Sequence, residues 1–239
     1  MTEAEWLTCE EPARMLPLVQ QRASNRRLQR SSRRKLRLFS VACCRLFWDE
    51  FPIDATRSAI DVNERFADGR ATEAELRGAR NAAHSEAWHA EYYTRREPHG
   101  TDSAEQRAYY RERLGGATDD VLKRMYLVAF MTGSDQRLLS DDMPLLRTDP
   151  TLIRLGPALF RDIFGNPFRA TAFPSDWRTP TVSTLTARMY ESRDFFAMPI
   201  LADALQDAGC DSIDILDHCR GAGPHVYGCW VIDRVLGKR

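Results

Sequence analysis

The sequence predicts an all-α fold, a single multi-helix domain over residues 1–239, and three observations predict it. Helix-start signals recur along the chain, helix stops follow them at helical distances, and alternating strand patterns are missing. Thr2 with Glu5, Thr72 with Glu75 and Asp102 with Glu105 have capping-box spacing, in which a side-chain oxygen takes an orphan amide and the later carboxylate reaches back. Gly69, the Gly115–Gly116 pair and Gly209 stand where a left-handed residue would close a helix.

Taken in order, the first cap opens a helix near 2–8, and a second is expected near 13–22. RRKLRLFSVACCRLFWDEF supplies a third, near 33–50, because about 100° per residue gathers Leu36, Phe39, Cys43, Leu46 and Phe47 on one side. Helices near 55–68, 73–96, 103–114 and 119–131 follow, the first stopped by Gly69 and the next two opened by their capping boxes. Beyond 151–164, Thr179 before Pro180 caps a helix at 180–192, and Pro199 pre-sets the first turn of 199–208. The last two are expected at 212–219 and, with Pro224 as its opening residue, at 225–236. Between 163 and 180 the Gly, Pro and Asn content predicts an ordered irregular crossing, pinned by Phe164, Phe168, Phe173 and Trp177. If the domain divides, the weakest stretch is 134–150.

With 43% apolar residues in 239, the chain can bury a sizeable core. The N-terminus has no apolar stretch of secretory type, and the longest apolar run, YLVAFM, is too short to span a bilayer; the expectation is a cytoplasmic protein without a membrane segment. Its six cysteines are then reduced thiols.

Acidic and basic residues balance at 34 each, but the balance is uneven along the chain. RASNRRLQRSSRRKLR, residues 22–37, holds eight basic residues and no acid. Arg26, Arg27, Arg30, Arg33, Arg34 and Lys35 are therefore candidate phosphate contacts for nucleic acid. The competing reading is a solvated segment that pairs with the acidic remainder of the chain. In the helix that follows, Cys43 faces the core, while Cys44 falls on the side of Arg37 and Trp48, where a basic neighbour would favour its thiolate if it were exposed.

The tail, HCRGAGPHVYGCWVIDRVLGK, concentrates two histidines, two cysteines and an acid. If Pro224 opens a helix, His225, Cys229 and Asp233 stand at successive i, i+4 steps beside Val226, Trp230, Ile232 and Leu236, with Tyr227 and Arg234 opposite. They would form an inward polar network in which Asp233 needs a cation or amide, Arg220 or Arg161 being the candidates. A zinc site using His218, Cys219, His225 and Cys229 is the alternative, although the spacing matches no common zinc module. A thiol nucleophile lacks an oxyanion pocket in the sequence. No phosphate loop, dinucleotide fingerprint or metalloprotease motif occurs.

The stretches LRLFSVACCRLFW, AIDVNERFADGRATEAEL, LFRDIFGNPFR, MPILADALQDAGC and the tail together resemble a paralogous family of planctomycete bacterial proteins over most of the chain. The resemblance implies kinship and carries no activity, cofactor or partner. Against the family pattern RRLQRSS reads as an insertion, so the basic signal belongs to this member. The function expected from the whole is a non-catalytic binding or scaffold module with a protein partner, with nucleic-acid association and a zinc-binding protein or hydrolase as alternatives. A resident cofactor is not expected outside the zinc reading.

Overall fold

The computed structural model describes residues 1–24, 29–95, 103–114, 119–132, 145–169 and 171–238. Among them the chain is helical, with no strand. The helices are α1 (Glu3–Thr8), α2 (Pro12–Ser24), α3 (Gln29–Arg45), α4 (Asp54–Ala67), α5 (Glu73–Arg95), α6 (Ala104–Leu114), α7 (Asp119–Met131), α8 (Leu145–Thr148), α9 (Pro150–Phe164), α10 (Pro180–Ser192), α11 (Met198–Asp207), α12 (Ile213–Arg220) and α13 (Trp230–Leu236). No described helix is long and apolar enough to cross a membrane. The chain forms two compact units, residues 43–142 and residues 1–42 with 143–239.

The starts and stops act locally as their chemistry requires. Thr2 and Glu5 close the capping box of α1, and Thr72 with Glu75 does the same before α5. Asp149 takes the amides of Thr151 and Leu152 at the start of α9, and Thr179 takes that of Val182 in α10. Gly69 and Gly209 have φ of 70° and 86°. Asp102, Gly115 and Gly116 lie outside the described residues.

The unit of residues 43–142 is built on α5, whose Ala83, Ala87 and Ala90 are fully buried and let neighbouring helices approach closely. Glu64 of α4, also fully buried, is held by Arg45 at 2.7 Å. Tyr93 of α5 stacks on Tyr110 of α6 at 5.4 Å. Cys44 is buried here and its thiol is pushed up to about 12 by desolvation, with Arg45 only partly opposing. Cys44, placed by the helical wheel on the side of Arg37 and Trp48, is thus not exposed, and the condition for a favoured thiolate is not met.

In the other unit Trp6, Phe39, Leu152, Leu159, Phe160, Ile163, Val182, Leu201, Ile215 and Val231 form the core, with Phe39 stacked on Phe160 at 3.9 Å. Gly165 ends α9 at φ 65°, and the space a Cβ would occupy there is filled by the Trp230 ring at 3.1 Å. The crossing that follows is ordered by specific bonds. Trp6 Nε1 donates to Gly165 O at 3.2 Å, Asn166 Nδ2 donates to Glu3 at 2.7 Å, and Arg178 donates to the carbonyls of Val235 and Arg234 at 3.0 Å each, capping α13. Of the four expected pins, Phe168 is exposed, while Phe173 and Trp177 form an edge-on pair.

The last helix is shorter than expected. It starts at Trp230, not His225, and Pro224 follows a cis peptide bond after Gly223. The backbone is committed elsewhere: the amide of Val226 donates to Asp162 and the carbonyl of Val226 accepts from Cys229 at 2.9 Å, which makes a turn. Gly228 at φ 95° lies against Leu38, whose Cδ1 stands 2.6 Å from where a Cβ would be. Tyr227, expected on the solvent side, is buried and packs on Tyr190 at 3.9 Å.

Candidate functional site

Asp162 lies on the flank of the apolar stripe of α9 and is 3% exposed. Its surroundings come from far along the chain. His218, in the last turn of α12, places Nε2 3.1 Å from Asp162 Oδ1. His225, in the turn after the cis Pro224, places Nδ1 3.0 Å from the same oxygen. Cys229, at the start of α13 and fully buried, places Sγ 3.1 Å from His218 Nε2. The four donor atoms all lie within 4.8 Å of one another, a grouping made by three separate segments.

The outward atoms of the group are also placed. Asp162 Oδ2 accepts the amide of Val226 at 3.0 Å, and His225 Nε2 stands 3.3 Å from the carbonyl of Gly221. The two imidazoles sit 5.0 Å apart, with Trp230 5.2 Å from His218. Burial works to raise the Asp162 carboxyl, but the hydrogen bonds and positive charge of His218 and His225 outweigh it and hold the group below its ordinary range. The Cys229 thiol is pushed well above its ordinary range by burial and by the charge of Asp162. Cys219 is likewise buried and raised to about 12 by desolvation first.

The expected inward network therefore divides. His225 and Cys229 join Asp162, while Asp233 belongs to a different pair. Arg34 Nη1 and Nη2 grip the two oxygens of Asp233 at 2.6 and 3.1 Å, and Nη2 also donates to Tyr190 at 3.0 Å. This replaces the expected partners of Asp233. Arg220 reaches Asp203 and Gln206 on the surface, and Arg161 donates to the carbonyls of Trp6 and Cys9. Cys219 stands outside the four-atom group, and Asp162, unremarked in the sequence, takes that place. The signal for Asp162 was an acid among Leu159, Phe160 and Ile163, on a helix whose apolar face predicts burial.

The basic candidates split in the same way. Arg34 points inward, and half-buried Lys35 donates to the carbonyl of Ile163 at 2.7 Å, its ammonium made less basic by desolvation. Arg30 is exposed and Arg33 half-buried. Arg26 and Arg27 lie outside the described residues.

A second feature also escaped the sequence reading. Phe196 is 95% exposed, in the turn between α10 and α11. That turn is built from side-chain acceptors: Ser192 Oγ takes the amide of Asp194 at 3.2 Å and Asp194 Oδ1 takes the amide of Phe196 at 3.1 Å. Comparison with family models, curated proteins and solved structures gives no match.

Proposed function

We propose that the protein is a non-catalytic recognition module that docks Phe196 into an apolar pocket of a protein partner. The observation that carries the reading is a large aromatic side chain, 95% exposed, on a turn already ordered by its own hydrogen bonds. Such an anchor loses little conformational freedom on binding, and buried aromatics dominate interface energetics. Ile200, 61% exposed one turn along, extends the apolar contact, while Leu201, Ala202 and Leu205 bury the other face of α11. Exposed Asp194 and Asp207 flank this surface, which suits a partner with a basic rim and disfavours an anionic lipid surface. The inward commitment of Arg34 and Lys35 takes two residues from the nucleic-acid alternative.

The test replaces Phe196 by a photo-crosslinking phenylalanine analogue in the native cell and identifies what is trapped. A discrete protein is expected, and Phe196→Ala should weaken the purified complex by about 2 kcal/mol or more with the helical circular dichroism unchanged. Crosslinks to nucleic acid alone, or a complex indifferent to Phe196→Ala, overturn the reading.

A further inference from the structure

We propose that Asp162, His218, His225 and Cys229 bind one zinc ion, as a closed structural centre independent of the Phe196 surface. A carbonyl oxygen only accepts, so the contact between His225 Nε2 and Gly221 O, 3.3 Å, puts the ring hydrogen on Nε2. In a neutral imidazole Nδ1 is then a bare lone pair, and it points at Asp162 Oδ1, another lone pair, from 3.0 Å. His218 Nε2 has at most one hydrogen, yet it faces both Asp162 Oδ1 and Cys229 Sγ at 3.1 Å. Hydrogen bonding alone satisfies the His225 contacts only if that ring carries both of its hydrogens, and the single hydrogen of His218 Nε2 still has to serve Asp162 and Cys229 together. One divalent cation at the common point satisfies it directly, because every inward atom becomes a ligand.

The dimensions agree. Zinc at 2.0–2.3 Å from nitrogen, oxygen and sulfur sets ligand-to-ligand edges of roughly 3.3–3.7 Å in a tetrahedron. Three edges of the group are 3.0–3.1 Å and all lie within 4.8 Å, so small side-chain adjustments complete the polyhedron. The charges agree too: a carboxylate and a thiolate together neutralise a divalent ion, leaving no net charge in a region where Cys229 is fully buried.

The outer contacts are those a metal site needs. Metal-bound histidines donate their other ring hydrogen to a carbonyl or carboxylate, as His225 does to Gly221, and bound carboxylates accept a further hydrogen bond, as Asp162 does from Val226. Two imidazoles with one thiolate exclude calcium and magnesium, which take oxygen, and favour zinc. Four protein ligands leave no vacant position for water, so the centre joins the end of α9, α12 and the turn before α13, and it carries no hydrolytic chemistry.

The experiment titrates the purified, reduced, full-length chain with cobalt(II) as a spectroscopic stand-in and then with zinc. One equivalent of cobalt is expected to give tetrahedral visible bands and a single-thiolate charge-transfer band in the near ultraviolet, both displaced by one equivalent of zinc. Cys229→Ser should remove the charge-transfer band and lower zinc affinity at least tenfold, whereas Cys219→Ser should retain both. The wild-type spectrum decides even if Cys229→Ser fails to fold. Absence of stoichiometric metal on the folded, reduced chain at micromolar zinc overturns the proposal, as does an octahedral spectrum without thiolate or loss of the band in Cys219→Ser.

Discussion

Asp162 and Asp233 face the same physical problem and meet it differently. Both are carboxylates almost wholly withdrawn from water, at 3% and 2% exposed, and an isolated buried carboxylate costs several kcal/mol. Asp233 is met by a guanidinium, a permanent cation whose planar fork matches both oxygens, with Tyr190 on the same fork. Asp162 is met by two imidazoles and, beyond one of them, a thiol, groups whose charge and hydrogens are negotiable. The first arrangement is complete with protein atoms alone. The second is the arrangement that the proposed cation would complete. A fixed cation makes a lock, whereas titratable ligands make a site.

The sharpest break in this comparison is Arg34→Met. Removing one partner of a buried pair leaves the other charge uncompensated, and a loss of about 3–5 kcal/mol is expected in urea denaturation. Arg34→Met combined with Asp233→Leu should recover most of that loss, since no charge then remains to be buried. If the single variant is as stable as the wild type, the lock is not one.

Zinc provides the next largest effect and separates the two acids. A ligand that binds only the folded chain stabilises it by about 2.7 kcal/mol at a hundred times its dissociation constant. That gain should appear in the wild type and survive in Arg34→Met, whereas Asp162→Asn should be indifferent to zinc. Lower pH should weaken zinc binding, because the raised Cys229 thiol has to give up its proton to the metal, about tenfold in affinity for each pH unit per proton released.

Much of the fold was legible because helix ends are written in short-range chemistry. Thr2, Thr72 and Thr179 cap their helices through atoms within three residues, and the glycines at 69 and 209 close theirs without reference to the rest of the chain. The tail was misread where a local rule met a longer-range partner. Pro224 reads as the opening of a helix, but the next amide after His225 is claimed by Asp162, 64 residues earlier in the chain. Three of the four proposed zinc ligands stood out because they share 12 residues, whereas Asp162 carried only the signal of an acid on a helix whose apolar face predicts burial. Arg34 was misleading in the same way. A run of like charge suggests a polyanion, and sequence does not say which member turns inward to meet Asp233.

Gly228 tests whether the tail's turn is set by its packing. Its φ of 95° is unfavourable for any side chain, and a new Cβ would meet Leu38 Cδ1 at 2.6 Å. Gly228→Ala should therefore destabilise the chain by about 2 kcal/mol, more than Gly69→Ala, where φ is 70° but nothing lies within 4 Å of the added carbon. Because Gly228 precedes Cys229, the same variant should also weaken zinc binding. Equal losses at the two glycines would mean that Leu38 yields freely and that backbone conformation alone sets the cost.

The smallest expected effect is in acid, on the zinc-free chain. The folded Asp162 carboxyl is held below its ordinary value of 3.8 despite burial, by the hydrogen bonds of His218 and His225. A group whose folded value is depressed contributes its stability above the unfolded value and loses it as the pH falls through the folded one. Asp162→Asn has no such proton to take up. Its stability deficit against the wild type should therefore shrink as the pH falls below the ordinary carboxyl range, in a series of urea melts at descending pH.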